Sequence, residues 1–339
     1  MVHVKNTDKP VIFITMGDPS GIGPEVMMKA MASPEIRGLA IFALVGDPGA
    51  ISRAAGGVFG EDIRVFGPDQ DDIKLDDTPV NVIDPGPGGT VFQPGVPVRE
   101  GAAKSLAALK AAVGFMREPG ADYSRALVTA PLSKEKVAEV HPGFIGHTEY
   151  LQEAYDVPFV TMAFVGQNLK VVPVTRHVPI RDVASCLTAE RLRNTIRQVI
   201  DNRKVLCGRD DVLIGVSGLN PHNGENGRIG AEEIELIAPV VEEFRKIYPR
   251  IEGPIPADVI FYKALRGKID VAIAMYHDQC LSAFKMVDFD TGVNMTLGLG
   301  QVRTSPDHGT AFDIAGKGIA DPGSMINAIK LAVRAVSQS

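Results

Sequence analysis

A run of apolar residues, Val11-Ile12-Phe13-Ile14-Thr15, is followed directly by Met16-Gly17-Asp18-Pro19-Ser20-Gly21-Ile22-Gly23-Pro24-Glu25. The run is nearly continuous in hydrophobicity, which is typical of a strand that helices cover on both faces. Pro24 suits the first turn of a helix, so the stretch predicts a strand, a tight turn and a helix. The glycines would let a ligand approach a helix N-terminus, but they serve a tight turn equally well. The stretch lacks the Gly-Lys-Ser/Thr ending of a P-loop and the spacing of GxGxxG.

Similar apolar runs recur along the chain, at Ile41–Val45, Ala126–Thr129, Phe159–Phe164, Lys170–Val174, Val212–Val216 and Val271–Ala274. Amphipathic stretches of helical length lie between them, among them Glu100–Met116, a helix capped by Thr188 that runs through Ile200, and Ala231–Ile247. Strands that alternate with helices build βαβ units. The sequence therefore predicts an α/β fold with a mostly parallel sheet.

Composition excludes several classes of protein. The chain has 339 residues, of which 45% are hydrophobic and 22% charged, so it is long enough for two domains and too apolar to be disordered. No apolar run approaches the ~18 residues that cross a bilayer, and none resembles a signal peptide. The net charge of −6 argues against nucleic acid as a partner, and the three cysteines are too scattered for a disulfide framework. A cytoplasmic protein without a membrane or nucleic-acid partner is expected.

Four of the seven histidines follow predicted strands and lie among Gly, Pro, Asn or Asp: His177, His222, His277 and His308. The carboxyl ends of parallel strands converge on the ligand crevice of an α/β sheet. Three imidazoles that meet there would form a divalent-metal site with open positions for a substrate. Spacing alone also allows ordinary hydrogen-bonded histidines, because no local motif such as HExxH enforces the cluster.

Two further features have both a functional and an ordinary interpretation. The segment 307–321 is rich in Gly and Ala and suits a loop around a flat ligand, or a surface turn before a helix. Lys285 and Arg303, and with less weight Arg176, are either solvated charges or a clamp for a phosphate or carboxylate.

At the level of motifs, the whole chain resembles the 4-hydroxythreonine-4-phosphate dehydrogenase family of vitamin B6 biosynthesis. The motifs that carry the resemblance are MGDPSGIGPE (Met16–Glu25), TAPLSKE (Thr129–Glu135), GHTE (Gly146–Glu149), TRH (Thr175–His177), GLNPHNGENG (Gly218–Gly227), GPIPAD (Gly253–Asp258), AMYHDQ (Ala274–Gln279), GVNMTLGL (Gly292–Leu299) and RTSPDHGTA (Arg303–Ala311). Nine motifs in the family's order make the resemblance highly specific.

Gly17–Glu25 and His308–Pro322 are also similar to segments of the isopropylmalate and isocitrate dehydrogenases. This resemblance implies two α/β/α domains with a cleft between them. Residues 1–129 and 296–339 would form the domain that carries the cofactor loop, and residues 130–295 would form the domain that binds metal and substrate and makes the dimer contacts. NAD would bind at a site that has no GxGxxG motif. By this analogy the adenosine is lined by His308, Gly309, Thr310, Ala311, Asp313 and Ile314. Asp313 would accept a hydrogen bond from the ribose and repel a 2′-phosphate, which favours NAD over NADP.

The family's metal ligands match His177, His222 and His277, with one of the three supplied by the second subunit of a homodimer. The ion is Zn, Mg, Co or Mn, and Asp258 and Asp278 would orient the imidazoles. The family's substrate contacts match His147, Thr148, Lys285, Asn294 and Arg303. The implied reaction is the NAD-dependent oxidation and decarboxylation of 4-hydroxy-L-threonine 4-phosphate to 3-amino-2-oxopropyl phosphate. His3 and His141 match no functional position of the family.

Several positions depart from the biosynthetic pattern. Asn226 replaces a glycine, 289–292 replaces Phe-Gly-Arg-Gly, 300–302 replaces Pro-Phe-Ile, and 280–283 replaces Gly-Leu-Pro-Val. Asn226 and Phe312-Asp313-Ile314 resemble a catabolic sister group that oxidises 4-phospho-D-threonate or 4-phospho-D-erythronate to dihydroxyacetone phosphate and CO2. A non-catalytic ligand or metal sensor and an acyl-phosphate transferase are more remote alternatives, because the histidines, the basic residues and the cofactor segment are all retained.

Overall fold

The computed structural model describes residues 2–4, 8–57, 62–70, 72–78, 80–86 and 91–337. The strands are β1 Val2–Val4, β2 Val11–Thr15, β3 Ile41–Val45, β4 Ile63–Phe66, β5 Ile73–Leu75, β6 Val80–Ile83, β7 Arg125–Thr129, β8 Thr161–Val165, β9 Lys170–Thr175, β10 Ile214–Ser217, β11 Ile251–Ile255, β12 Val271–Tyr276, β13 Val293–Leu297 and β14 Val302–Pro306. The α-helices are α1 Gly23–Ala32, α2 Pro48–Ala55, α3 Arg99–Arg117, α4 Lys134–Val140, α5 His147–Ala154, α6 Val183–Cys186, α7 Ala189–Asp201, α8 Arg203–Cys207, α9 Ala238–Arg245, α10 Ala257–Leu265, α11 His277–Asp288 and α12 Gly323–Ser337.

Met1–Pro158 and Leu299–Ser337 form the first of two compact units. Its main sheet has the order β14-β7-β2-β3-β6-β4, in which all neighbouring strands are parallel. Every residue of β2 and β3 is buried, and both α3 and α12 pack on β2 and β7. Burial along a whole strand requires cover on both faces, so the apolar run at Val11 forms a central strand as predicted.

Phe159–Gly298 forms the second unit. Its sheet has the order β11-β10-β12-β9-β8-β13, parallel from β11 to β9 and antiparallel from β9 through β8 to β13. The helices α10 and α11 pack on β12, where Phe284 and Ile260 are fully buried. The three parallel neighbours β10, β12 and β9 all end at the same edge of this sheet, which positions the loops that follow them.

The α/β fold with a mostly parallel sheet is confirmed. The capped helix is observed as α7, where the Thr188 hydroxyl accepts a hydrogen bond from the backbone N–H of Arg191 at 3.2 Å. The helix predicted over Ala231–Ile247 is shorter, because a π-helical turn at Glu233–Ile237 precedes α9. Residues 130–158, which the predicted division placed with the second domain, lie in the first compact unit. None of the described helices is long and apolar enough to cross a lipid bilayer.

Gly17 is expected to be indispensable to the turn after β2. Its φ is +70°, and an added Cβ would lie 2.0 Å from the carbonyl oxygen of Pro131. Gly17→Ala should lower the free energy of unfolding by about 3 kcal/mol, since both the backbone strain and the overlap must be relieved. Gly38→Ala is the matched control, because Gly38 has φ +77° with nothing within 4 Å, and should cost only about 1 kcal/mol. Equal midpoints for the two variants in urea denaturation would contradict the steric argument.

Candidate active site

Two of the predicted metal ligands lie side by side in the second unit. The strands β9 and β12 are parallel neighbours, with Thr175 paired to Tyr276 at their ends. His177 and His277 follow those two positions, and their ring centroids are 5.8 Å apart. His177 adopts φ +48°, a left-handed conformation that is uncommon for a residue with a side chain and that occurs often at functional sites. The convergence expected from strand ends therefore holds for this pair.

Asp278 holds the His277 ring. The Nδ1 atom of His277 lies 2.7 Å from Oδ1 of Asp278, and the Phe164 ring meets the imidazole edge-on with centroids 6.4 Å apart. With its proton on Nδ1, the imidazole donates to the carboxylate and presents the lone pair of Nε2 to a ligand. A carboxylate behind an imidazole is the arrangement that orients metal-binding histidines.

His222 lies in the loop after β10, within a short 3-10 turn over Pro221–Glu225. The strand β10 is parallel to β12, so this loop is at the same edge of the sheet as His277. Among the residues that the structure describes, no three His, Cys, Asp or Glu side chains form a group that could hold a metal ion. A single chain thus brings His177 and His277 together without completing a set of three. Two imidazoles, one backed by a carboxylate, fit a divalent ion of borderline softness that takes further ligands from elsewhere.

The other predicted residues of the second unit lie on α10, α11 and β13. Lys285 is eight residues after His277 on α11, and its Nζ lies 5.5 Å from the centroid of the Phe289 ring. Asn294 pairs with Phe164 across β13 and β8, and its buried Oδ1 accepts no hydrogen bond from the described residues. Asp258 is exposed in the first turn of α10. The amide oxygen of Asn294 is thus available to a ligand.

Arg303 is a buried cation in the first unit. It lies on β14 beside β7, is 3% exposed, and donates a hydrogen bond from Nη2 to Oγ1 of Thr129 at 2.6 Å. Burial lowers the pKa of Arg303 to about 10, against the opposing effect of the negative charge of Glu149. The guanidinium remains charged at neutral pH, and a charge kept at such a cost is typical of an anion-binding site.

His147 and Thr148 begin the helix α5, close to this cation. Burial, with the positive charges of Arg303 and Lys134, lowers the pKa of His147 well below its usual value. The imidazole is therefore neutral at pH 7 and can both donate and accept a hydrogen bond. The backbone N–H groups of a first helical turn also favour an anion.

The depressed pKa of His147 makes folding sensitive to acid. In the unfolded chain the imidazole takes up a proton near pH 6.5, whereas in the folded chain it does so only at lower pH. The unfolded state binds more protons in that interval, so the free energy of unfolding should fall as pH drops below 6.5. His147→Gln should flatten this part of the curve in urea titrations between pH 5 and 8. A His147→Gln curve that parallels the wild type would refute this origin.

The predicted cofactor segment follows β14. The Nδ1 atom of His308 lies 3.0 Å from the carbonyl oxygen of Gly309, and its buried Nε2 has no hydrogen-bond partner among the described residues. Ala311 adopts φ +41°, and Asp313 is exposed. Gly309, Thr310 and Ile314 lie on the same segment. An unsatisfied imidazole nitrogen, on a segment that also carries an exposed carboxylate, fits a polar ligand such as a nucleoside, since a buried polar atom normally has a partner.

The turn after β2 fixes this segment. The backbone N–H of Ile22 donates to the carbonyl oxygen of Thr310 at 2.9 Å, and an added Cβ at Gly21 would lie 2.9 Å from the same oxygen. The sequence left open whether the glycines of this turn contact a ligand or only form the turn. They have at least a structural role, because the absence of a side chain lets the cofactor segment approach.

Glu25 and Lys29 hold the far end of the segment, and the sequence analysis did not identify them as site residues. Oε1 of Glu25 accepts from the backbone N–H of Ala320 at 2.9 Å, and Nζ of Lys29 donates to the carbonyl oxygens of Gly318 and Ala320 at 2.9 and 2.7 Å. Glu25 and Lys29 are four residues apart on α1, a spacing that predicts the ion pair observed at 2.9 Å. The spacing does not predict their hydrogen bonds to a loop almost 300 residues further along the chain.

Comparisons with known proteins match this chain over most of its length. Residues 39–332 match the sequence model of the pyridoxal phosphate biosynthetic protein PdxA. The 4-hydroxythreonine-4-phosphate dehydrogenase of Desulforapulum autotrophicum is 38% identical over 340 residues, covering 96% of this chain and 95% of that protein. The crystal structure of the enzyme of that name from Klebsiella pneumoniae superimposes with a TM-score of 0.81 at 32% identity, covering 96% of this chain and 99% of the other. A terephthalate 1,2-cis-dihydrodiol dehydrogenase from Burkholderia xenovorans reaches 0.67 at 26% identity, with 96% and 98% covered.

Proposed function

The chain belongs to the family of the pyridoxal phosphate biosynthetic protein PdxA, and on this premise we propose that it oxidises and decarboxylates 4-hydroxy-L-threonine 4-phosphate with NAD and a divalent metal ion. The observation that carries the proposal is the pair of imidazoles at the ends of β9 and β12, 5.8 Å apart, with Asp278 behind one of them. This arrangement suits a bound divalent ion, and such an ion supplies the Lewis acidity that the proposed reaction needs.

In the proposed reaction a hydride leaves C3 of the substrate for NAD, the hydroxyl proton is released, and the resulting β-keto acid loses CO2. His177, His222 and His277 would hold the metal ion, which when bound supplies Lewis acidity toward the substrate oxygens (Zn, Mg, Co or Mn would serve). Asp278 fixes the His277 ring so that its Nε2 lone pair is ready for the ion.

The substrate's anionic groups would be bound by Arg303 and Lys285, with Thr148 and neutral His147 donating hydrogen bonds to them. The free amide oxygen of Asn294 would accept a hydrogen bond from a hydroxyl or amino group of the substrate. Because Arg303 is buried, little water surrounds its guanidinium, and its attraction for a phosphate or carboxylate is stronger than in solvent.

The segment from His308 to Ile314 would hold the adenosine of NAD through His308, Gly309, Thr310, Ala311, Asp313 and Ile314. Asp313 is exposed, so its carboxylate can meet a ribose hydroxyl and repel a 2′-phosphate. From the family resemblance we also propose a homodimer in the cytoplasm, with the third imidazole crossing between subunits.

A second candidate substrate, 4-phospho-D-threonate or 4-phospho-D-erythronate, is favoured by one observation. Thr291 stands where the biosynthetic pattern has arginine, and its hydroxyl donates to Oδ1 of buried Asp288 at 2.9 Å. This position therefore adds no positive charge for a substrate, and its side chain is engaged within the protein.

The test offers both classes of substrate to metal-reconstituted enzyme and follows NADH formation, with a chelator control and a parallel arm with NADP. We expect oxidation of 4-hydroxy-L-threonine 4-phosphate, dependence on metal, and little activity with NADP. A preference for the threonate or erythronate would assign the enzyme to the catabolic reaction. No NADH with any of them, despite bound metal, would overturn the proposed substrate class.

A further inference from the structure

The loop that carries His222 has an unusual backbone. The φ angles of His222, Asn223, Gly224, Glu225 and Asn226 are +52°, +54°, +71°, +43° and +57°. The left-handed region costs a residue with a side chain roughly 1–2 kcal/mol, and consecutive residues rarely share it. This conformation needs strong contacts with the rest of the unit to persist.

Glu233, in the π-helical turn before α9, supplies such contacts. Its Oε1 accepts hydrogen bonds from the backbone N–H groups of Leu219 and Asn220, both at 2.7 Å, and its Oε2 accepts from the side-chain Nδ2 of Asn220 at 3.0 Å. The residue is 2% exposed, so these are charge-assisted bonds away from water. They fix the entrance of the loop, two residues before His222.

Glycines in the loop leave room for this carboxylate. An added Cβ at Gly218 would lie 3.0 Å from Oε1 of Glu233, and one at Gly224 would lie 2.8 Å from its Oε2. The loop therefore wraps around the carboxylate on both sides of His222.

The same loop is tied to the elements on either side of it. The side-chain Nδ2 of Asn223 donates to the carbonyl oxygen of Pro254 at 2.9 Å. The Nε2 of Gln279 donates to the carbonyl oxygen of Gly218 at 2.8 Å, and Gln279 lies in the first turn of the helix that His277 begins. The two histidine-bearing segments thus share one hydrogen-bond network.

We propose that Glu233 is a positioning residue, which holds the backbone around His222 in the left-handed conformation that presents this imidazole for metal binding. The inference rests on the proposed function, since it takes His222 to be a metal ligand. The carboxylate does not touch the metal itself; it acts through Leu219 and Asn220.

The test measures Co2+ affinity and the visible absorption spectrum of bound Co2+ in the full-length wild type, Glu233→Gln and Glu235→Gln. In Glu233→Gln an amide N–H2 must face a donor, either a backbone N–H or the Asn220 amide, so the loop loses at least one bond. We expect the dissociation constant to rise about tenfold to 100-fold with an altered spectrum, as for other residues that orient metal ligands. Glu235, which is exposed in the same turn, is the matched control and should change neither.

Each result of this test either supports or overturns the positioning role of Glu233. The inference is overturned if Glu233→Gln binds Co2+ within twofold of the wild type and gives the same spectrum. A lower unfolding temperature would not rescue it, because Glu233 would then stabilise the fold without affecting metal binding. If Glu233→Gln does not fold, Glu233→Asp draws the carboxylate back by one methylene from the backbone N–H groups of Leu219 and Asn220 and should weaken binding at least threefold; an unchanged constant would overturn the inference. A wild-type protein that binds no Co2+ would instead contradict the proposed function.

Discussion

His277→Ala is expected to lower kcat/KM by at least about 1,000-fold, because it removes one of the proposed metal ligands and with it the charge stabilisation that the ion supplies. The side chain is well placed for this role, 5.8 Å from His177 between ring centroids and hydrogen-bonded to Asp278 at 2.7 Å. The measurement is NADH formation at saturating NAD, together with the metal content of the purified variant.

The control for this prediction is His3→Ala. His3 is an exposed histidine of the first unit whose Nε2 lies 3.2 Å from Oδ1 of Asp72, so it reproduces the loss of an imidazole beside a carboxylate outside the unit that carries the predicted metal ligands. Its turnover and metal content should match the wild type. A His277→Ala variant that keeps full turnover would remove His277 from the metal site.

Asp278→Asn separates orientation from coordination. The asparagine keeps the size of the side chain but weakens the hydrogen bond to Nδ1 of His277, so metal affinity should fall about tenfold while the ligand itself remains. Titration with Co2+ measures the effect. An affinity equal to that of the wild type would show that the exposed carboxylate does not orient the ring in solution.

The sequence predicted that histidines after parallel strands converge at one sheet edge, and the family resemblance selected His177, His222 and His277. The pairing of β9 with β12, which brings His177 and His277 together, is seen only in the structure. The sequence was not sufficient to predict the role of Glu233. The glutamate lies in a stretch predicted as an ordinary helix with an acidic first turn, and only the π-helical turn places it inside the loop of His222. Glu25 and Lys29 were missed for a similar reason, since their partners at Gly318 and Ala320 are close in space but remote in sequence.

Arg303→Met should separate activity from stability. Its guanidinium is 3% exposed, and burial already lowers its pKa to about 10, so the folded protein keeps this charge at a cost in free energy. Replacing it with an apolar side chain of similar length should leave the unfolding temperature unchanged or raise it. The KM for the phosphorylated substrate should rise at least about 30-fold, since removing a buried partner of an anion costs about 2–5 kcal/mol.

Two further measurements test whether Arg303 binds the substrate: the KM of Arg303→Lys and the dependence of KM on pH. Lysine keeps the charge but loses the planar fork, so its KM should lie between those of the wild type and Arg303→Met. In the wild type the guanidinium is charged below its pKa of about 10 and neutral above it, so KM should be constant from pH 7 to 9 and rise as the pH passes through 10. This rise should be missing in Arg303→Met, whereas exposed Arg334→Met on α12 should behave as the wild type. If Arg303→Met lowers the unfolding temperature and leaves KM unchanged, the buried charge serves the fold and not the substrate.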